Sequence, residues 1–346
     1  MIKPWIFEFF PAPREPGATD DPQRSADYFN WYLDLWPRAE PLGYEGIFFS
    51  EHHFGVAYSP APNLLIAQVA LRTRTIRLGV MGLVLPYHQP WKVAEEIGML
   101  DHLTQGRLEI GTAAGIPQEM AQVGMSVAEA RERNDEAIEI LDAVLSQPVI
   151  SHHGKYWRFT DLRIVPRPLQ RPNPPKWVTV ISEDSARKAA RRGAKICTGF
   201  HPTERVRSIF EAYRDEAHRI GAASGPEQLA LRRQVSIGAD EAAIRAASLI
   251  REQQTRTRLL ADPRLSAPER AVFDTPTSHA FTIGSDEFIA GAPDSVAEQA
   301  IAQCREVGAG HFLATFDRTA AREQLLAAWE MFGSCVVPAL RRATVN

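Results

Sequence analysis

Apolar and polar positions alternate in blocks along this chain. Short continuous apolar runs occupy 5–10, 45–50, 76–85, 107–111, 177–181, 195–199, 229–237 and 310–315. Runs of this length and character predict strands buried on both faces. Between them lie stretches with helical spacing of apolar positions, at 28–40, 63–72, 91–103, 128–145, 185–192, 204–221, 241–260, 295–307 and 318–333. Pro37 sits late in the first of these and predicts a kink or break there. Regular alternation of strand and helix predicts the α/β class with a parallel sheet. Eight strands alternating with helices favour a closed (β/α)8 TIM barrel over an open doubly wound sheet. The pattern pauses twice. Residues 148–175 are rich in His, Gly, Pro and aromatics and read as a loop with a hairpin. Residues 262–290 are irregular and contain Pro263, Pro268 and Pro276. Both are read as insertions in a single domain spanning 1–346. The length agrees, since a barrel needs roughly 250 residues and insertions commonly extend it.

Charge and cysteine usage narrow the partners. The formal net charge is −3, which gives no electrostatic case for nucleic acid. Arg187, Lys188, Arg191 and Arg192 cluster, but at the spacing of one solvated helical face. The three cysteines, Cys197, Cys304 and Cys335, are far apart and form no Cys-x-x-Cys. Neither a disulfide framework nor a thiolate zinc site is expected, and a reducing cytoplasm is the natural home. The first residues lack the basic-then-apolar pattern of a signal peptide, and no apolar run is long enough to span a bilayer. The expectation is a soluble, cytoplasmic protein with no membrane partner.

Barrel active sites lie at the C-terminal ends of the strands, which directs attention to the residues just after each apolar run. Glu51, His52 and His53 close the second strand. An imidazole titrates near neutral pH and serves as general acid or base, and a neighbouring carboxylate sets its tautomer and raises its pKa. Spacing alone leaves open a structural hydrogen-bonding pair or half of a metal site. A metal would need ligands from other strands, and His201 is the one obvious supplement, so no metal is expected. Ser182-Glu183-Asp184-Ser185 precedes a helix. Its backbone N–H groups and hydroxyls form either an anion site or an ordinary N-cap. No Gly-x-Gly-x-x-Gly follows the first strand and no P-loop occurs, so a Rossmann dinucleotide site is not supported.

At these residues the chain resembles the luciferase-like monooxygenase family, over nearly its whole length. The resemblance is carried by Leu42-Gly43-Tyr44-Glu45-Gly46 leading to Glu51-His52-His53-Phe54, and by Arg77-Leu78-Gly79 leading to Leu83-Val84-Leu85-Pro86. Ala94-Glu95-Glu96, Leu100-Asp101 and Gly106-Arg107-Leu108 continue it. So do His153-Gly154-Lys155-Tyr156-Trp157, Pro166-Arg167-Pro168, Gln170-Arg171-Pro172 and Gly291-Ala292-Pro293-Asp294-Ser295. Each motif is weak alone; their order and spacing together are specific.

The resemblance implies a barrel that binds FMN at the strand ends and takes the reduced form as co-substrate. A separate NAD(P)H:flavin reductase would supply it, and O2 would be used to oxygenate a small organic substrate. His52 becomes the leading catalytic residue, with Glu51 and His53 shaping the same pocket. Met81–Gly82 falls where family members place a non-proline cis peptide under the flavin. Thr112 would also contact the cofactor, and Ser182, Glu183 and Ser185 would hold its phosphate. Two departures stand out. Ala114 occupies the place of an arginine that binds phosphate in many members, which implies weaker flavin binding or a substitute cation. Gln89 replaces one of two histidines in the turn after the third strand. Two other readings remain on this fold: a deazaflavin-dependent oxidoreductase, and a non-catalytic flavin-binding or partner subunit. A homodimer is the default expectation because two-fold dimers dominate soluble oligomers. The segment 262–289 is the expected lid, with the loop 11–23 contributing; the substrate is not encoded in any motif.

Overall fold

The computed structural model describes residues 1–13, 17–55, 57–199, 201–240, 242, 244, 246, 286–317 and 320–345. Proline and polar caps decide where its helices begin. A proline occupies the first turn of α1 (Pro22–Leu35), α2 (Pro62–Arg72), α3 (Pro90–Leu103) and α4 (Pro117–Gln122). Its fixed φ suits that position and its missing N–H is not needed there. Helix α5 (Val127–Ser146) starts instead on a Ser126 cap, whose hydroxyl accepts from the Glu129 N–H at 3.1 Å. Helices α6 (Glu183–Arg191), α7 (Thr203–Ile220), α8 (Pro293–Val307), α9 (Arg322–Met331) and α10 (Val337–Arg342) follow. Glycines in the left-handed region, Gly221 and Gly308, end α7 and α8.

The first helix begins six residues earlier than its hydrophobic spacing predicted. Asp21 accepts from the N–H groups of Gln23 and Arg24 at 2.9 and 3.2 Å, so the Asp21–Pro22 pair sets the start. The predicted break is present: α1 ends at Leu35, and Trp36–Ala39, with Pro37 inside it, forms a tight turn. Of the loop 11–23, residues 14–16 lie outside the described residues.

The strands are β1 (Lys3–Glu8), β2 (Gly46–Phe49), β3 (Arg77–Val84), β4 (Leu108–Ala113), β5 (Val149–His153) and β6 (Arg158–Arg163). They continue with β7 (Lys176–Val180), β8 (Lys195–Thr198), β9 (Leu229–Ile237), β10 (Phe288–Gly291) and β11 (His311–Thr315). Among the described residues, one sheet runs β10-β9-β11-β1-β2-β3-β4-β7-β8, and β9 pairs with β8 as well. That closes eight strands into the order of a (β/α)8 TIM barrel, an α/β fold. Its pairings are parallel, with Trp5 opposite Leu313 and Ile196 opposite Leu229. Burial along β2 and β11 is continuous, as expected for strands covered on both faces.

The hairpin read in the first insertion is present: residues 149–163 form the antiparallel pair β5 and β6. One feature goes beyond the predicted pattern. Strand β10 lies in a stretch read as irregular; it pairs with the second half of β9, from Gln234 to Ile237. Its four residues are too few to show a pattern by themselves. Most of the predicted helix at 241–260, and of the expected lid at 262–289, lies outside the described residues.

Packing divides the chain into two compact units. The first comprises Met1–Glu8, Arg38–Ile47 and Thr179–Asn346. Its core holds the fully buried Trp5, Phe210, Tyr213, Phe312, Trp329 and Phe332. The second comprises Phe9–Pro37 and Phe48–Val178. There Phe48 meets Trp177 edge-on at 5.5 Å, Trp36 meets Phe49 at 4.9 Å, and Phe10 sits among Phe29, Tyr32, Trp36 and Tyr58. Among the described residues no helix is long and apolar enough to cross a membrane.

Candidate functional site

The second unit gathers the titratable residues that follow β2, β3 and β4. After β2 the chain turns back through Phe54 and Gly55, both with positive φ. Backbone bonds from His52 N–H to Ser59 O and from Tyr58 N–H to Phe10 O fix this turn. Glu51 is thereby buried while His52 and His53 remain about one-fifth exposed.

Two buried carboxylates organise three imidazoles. Glu51 Oε1 accepts from His53 Nε2 at 2.9 Å and from His88 Nε2 at 2.8 Å; its Oε2 accepts from the Val84 N–H at 2.9 Å. Burial pushes the Glu51 carboxyl up, but the bonds from His53 and His88, the His88 charge and the Val84 N–H outweigh it. The net effect holds Glu51 below the usual carboxylate range. Burial pulls His88 down, yet the Glu51 bond and the charges of Glu51 and Glu96 leave it above the ordinary imidazole value.

The second carboxylate is Glu119, on α4. Its Oε1 accepts from His52 Nδ1 at 3.0 Å and from the His53 N–H at 3.1 Å. Because a carboxylate only accepts, His52 carries its proton on Nδ1 and Nε2 is left to exchange one. The ring of Phe9 stacks on His52 at 5.6 Å and fixes its plane. An imidazole held in this way suits general acid–base chemistry.

Beside these groups the β3 and β4 backbones approach closely. The Met81–Gly82 peptide is cis, and the β3–β4 register shifts between Val80 and Leu83. A Cβ at Gly82 would lie 2.5 Å from the Thr112 carbonyl carbon, and one at Gly111 would lie 2.1 Å from Val80 O. Met81 and Thr112 are buried there. Several buried polar atoms near the strand ends have no hydrogen-bond partner among the described residues. In this unit they include Ser50 Oγ after β2, Tyr87 Oη after β3 and Glu119 Oε2 after β4. Native interiors leave few such atoms unpaired, so their position marks a place for a ligand or water.

In the first unit, Ser182 and Ser185 close a capping box on α6. Ser182 Oγ accepts from the Ser185 N–H at 3.2 Å, and Ser185 Oγ accepts from the Ser182 N–H at 3.1 Å. Glu183 is bound by the Arg205 guanidinium and by Ser208 Oγ; its own N–H first, then these partners, hold its carboxyl low against the opposing effect of burial. His201 is buried in the same unit. Among the described residues, no group of three or more His, Cys, Asp and Glu is arranged to hold a metal ion.

The structure therefore joins Glu51 to His53, and brings His52 to a residue that was not anticipated. Glu119 could have been found from Ile116-Pro117-Gln118-Glu119, since proline in a first turn followed by an acidic residue is a helix-start signature. His88 and Tyr87 were visible in the turn after β3, but nothing local tied them to Glu51 or Glu119.

A family model described as luciferase-like monooxygenase matches residues 7–311. The oxygenase component of flavin-dependent trigonelline monooxygenase from Acinetobacter baylyi is 31% identical over 218 residues, 61% of this chain and 60% of that relative. The chain spans about half the length of other curated relatives it matches. Among solved structures, monooxygenase RslO1 from Streptomyces bottropensis aligns with a TM-score of 0.82 at 25% identity, covering 97% of this chain and 99% of that one. The oxygenating constituent of 3,6-diketocamphane monooxygenase from Pseudomonas putida, in complex with FMN, aligns with a TM-score of 0.80 at 20% identity, covering 100% and 99%. Fold, motif order and family match agree, and the chain belongs to the luciferase-like monooxygenase family.

Proposed function

We propose that this protein is the oxygenase of a two-component, FMN-dependent monooxygenase acting on a small organic substrate. The observation that carries the reading is His52, held at Nδ1 by the buried Glu119 and part-exposed beside the end of β2. The donor set suits a flavin. A polar heteroaromatic ring needs close backbone approach and polar partners, and the Gly82–Thr112 contact and the unpartnered Ser50 Oγ at the end of β2 supply both. A relative named as a flavin-dependent monooxygenase, and a neighbour in complex with FMN, support the same choice.

Bound reduced FMN would supply the electrons for oxygen chemistry. The chain's own part is to hold and move protons and to exclude water. His52 Nε2 gives or takes a proton, and Glu119 stabilises the imidazolium that forms. Met81, Gly82 and Thr112 are the proposed floor for the ring. The first turn of α6, with Ser182, Glu183 and Ser185, is the proposed phosphate anchor. Both serine hydroxyls already serve the capping box there, so backbone N–H groups and Arg205 would do more of the work than the hydroxyls. Arg205, which pairs with Glu183 in that turn, is our candidate for the phosphate-binding cation.

The test is an anaerobic titration of the purified protein with reduced FMN, followed by admission of O2 in the presence of a separate NAD(P)H:flavin reductase. Saturable binding and flavin-dependent oxygen uptake are expected. Absence of binding to oxidised and reduced FMN would overturn the reading. Turnover without oxygen uptake would move the protein to deazaflavin-dependent hydride transfer.

A further inference from the structure

The catalytic reading uses one oxygen of Glu119 and leaves the other unassigned. Glu119 is 1% exposed, and its Oε2 is buried with no hydrogen-bond partner among the described residues. The Tyr87 hydroxyl is in the same condition. Both groups meet His53: its ring packs edge-on against the Tyr87 ring at 5.3 Å, while its N–H donates to Glu119 Oε1. Gly115, at φ +92°, faces Tyr87: a Cβ there would lie 3.7 Å from Tyr87 Oη and 3.3 Å from Met120 Cε. The same Cβ would lie 2.8 Å from Val84 Cγ1, so glycine keeps this space open.

Resting on the monooxygenase reading, we propose that Glu119 Oε2 and Tyr87 Oη form a substrate subsite for a hydrogen-donating group, a hydroxyl or an ammonium. A carboxylate oxygen only accepts, so the ligand must donate to Glu119. The Tyr87 hydroxyl stays protonated, since burial first, and then the charges of Glu119 and Glu51, push it up to about 12. It can therefore donate to a substrate oxygen or accept from a substrate N–H. A hydroxyl satisfies both groups at once, by donating to Glu119 and accepting from Tyr87. A carbonyl could satisfy only Tyr87 and would leave Glu119 unpaired, which is the larger penalty. An anionic group would face both Glu119 and Glu51 and is excluded.

The probes are cyclohexanol, cyclohexylammonium and cyclohexanone, three rings of similar size that differ in the polar group. Their binding to the full chain is measured by calorimetry without flavin, so the result does not depend on whether FMN binds. A parallel reduced-FMN titration scores the monooxygenase reading separately. Cyclohexanol or cyclohexylammonium should bind at least about fivefold more tightly than cyclohexanone, the effect of one well-placed hydrogen bond. Their order identifies which donor the site prefers. Tyr87→Phe, which keeps the ring packed on His53, should cut the cyclohexanol preference by about fivefold and change cyclohexanone affinity less than cyclohexanol affinity. Glu119→Gln, which removes the charge, should cut cyclohexylammonium binding by at least as much. Equal affinities for the three probes, no binding at millimolar concentration, or a preference that survives Tyr87→Phe in a protein with unchanged melting behaviour would each overturn the proposal. The pair would then hold an ordered water only.

Discussion

Replacing Glu51 with glutamine tests how this cluster is held together. The carboxylate is fully buried and accepts from His53, His88 and the Val84 N–H. An amide of the same shape keeps one acceptor and presents an NH2. If its oxygen faces the histidines, the NH2 meets the Val84 N–H, donor against donor. If it flips, Val84 is satisfied and both histidines must become neutral acceptors at Nε2. The flipped form is the better one, and it exchanges charge-assisted bonds for neutral ones. Hydrogen bonds to charged groups contribute about 1.5–3 kcal/mol against about 0.5–1.5 for neutral ones, so Glu51→Gln should cost roughly 1–3 kcal/mol. For a chain of this length that corresponds to a fall in Tm of about 1–4 °C.

The dependence on pH is the sharper part. Glu51 is held below its ordinary value of 4.5, so its contribution is present above that value and lost as pH falls through the folded-state pKa. His88 is held above its ordinary 6.5, so its contribution is complete below that value and lost as pH rises through the raised one. The gap in Tm between wild type and Glu51→Gln should therefore be widest at about pH 5–6.5 and narrow on both sides. Thermal melts in matched buffers across that range measure it. A gap that is constant with pH, or absent, would show that the Glu51–His88 contact is not an ion pair in solution.

Three further outcomes follow from the same geometry. His52→Ala should retain reduced-FMN binding and lose most product formation, by about 10²-fold or more for a proton-transfer group; undiminished turnover removes His52 from the mechanism. Ser182→Ala should destabilise by about 1 kcal/mol through loss of the α6 cap and should also weaken FMN binding; unchanged FMN affinity, read by fluorescence quenching, would leave Ser182 a cap alone. Glu136→Ala should release the β5–β6 hairpin, because that carboxylate accepts from the N–H groups of Lys155, Tyr156 and Trp157 and pairs with His152. Hydrogen exchange at 154–157 should accelerate at least tenfold, and unchanged protection there would mean that strand pairing alone holds the hairpin.

What could be read from the chain depended on the range of the interaction responsible. The eight barrel strands were legible because burial on both faces writes itself into consecutive residues, as in β2 and β11. The start of α1 was misplaced because a cap at Asp21 overrode the hydrophobic spacing, although the Asp21–Pro22 pair is itself a local signal. Strand β10 left no trace because four residues carry no period, and its partner on β9 lies more than fifty residues away. The site divides in the same way. Glu51, His52 and His53 announced themselves by residue type beside a strand end. Their partners could not, since Glu119 is 67 positions from His52 and His88 is 37 from Glu51. Two carboxylates near one another and three imidazoles between them would be unremarkable at any one place in the chain. It is the burial of both acids, with the histidines left part-exposed, that turns a run of polar residues into a fixed hydrogen-bonded cluster. Only the fold supplies that burial, because a strand end of Glu-His-His in water would share its protons with solvent and fix no tautomer. Glu119 is accordingly where residue chemistry and chain topology meet: one oxygen orders His52, and the other is left facing whatever the site receives.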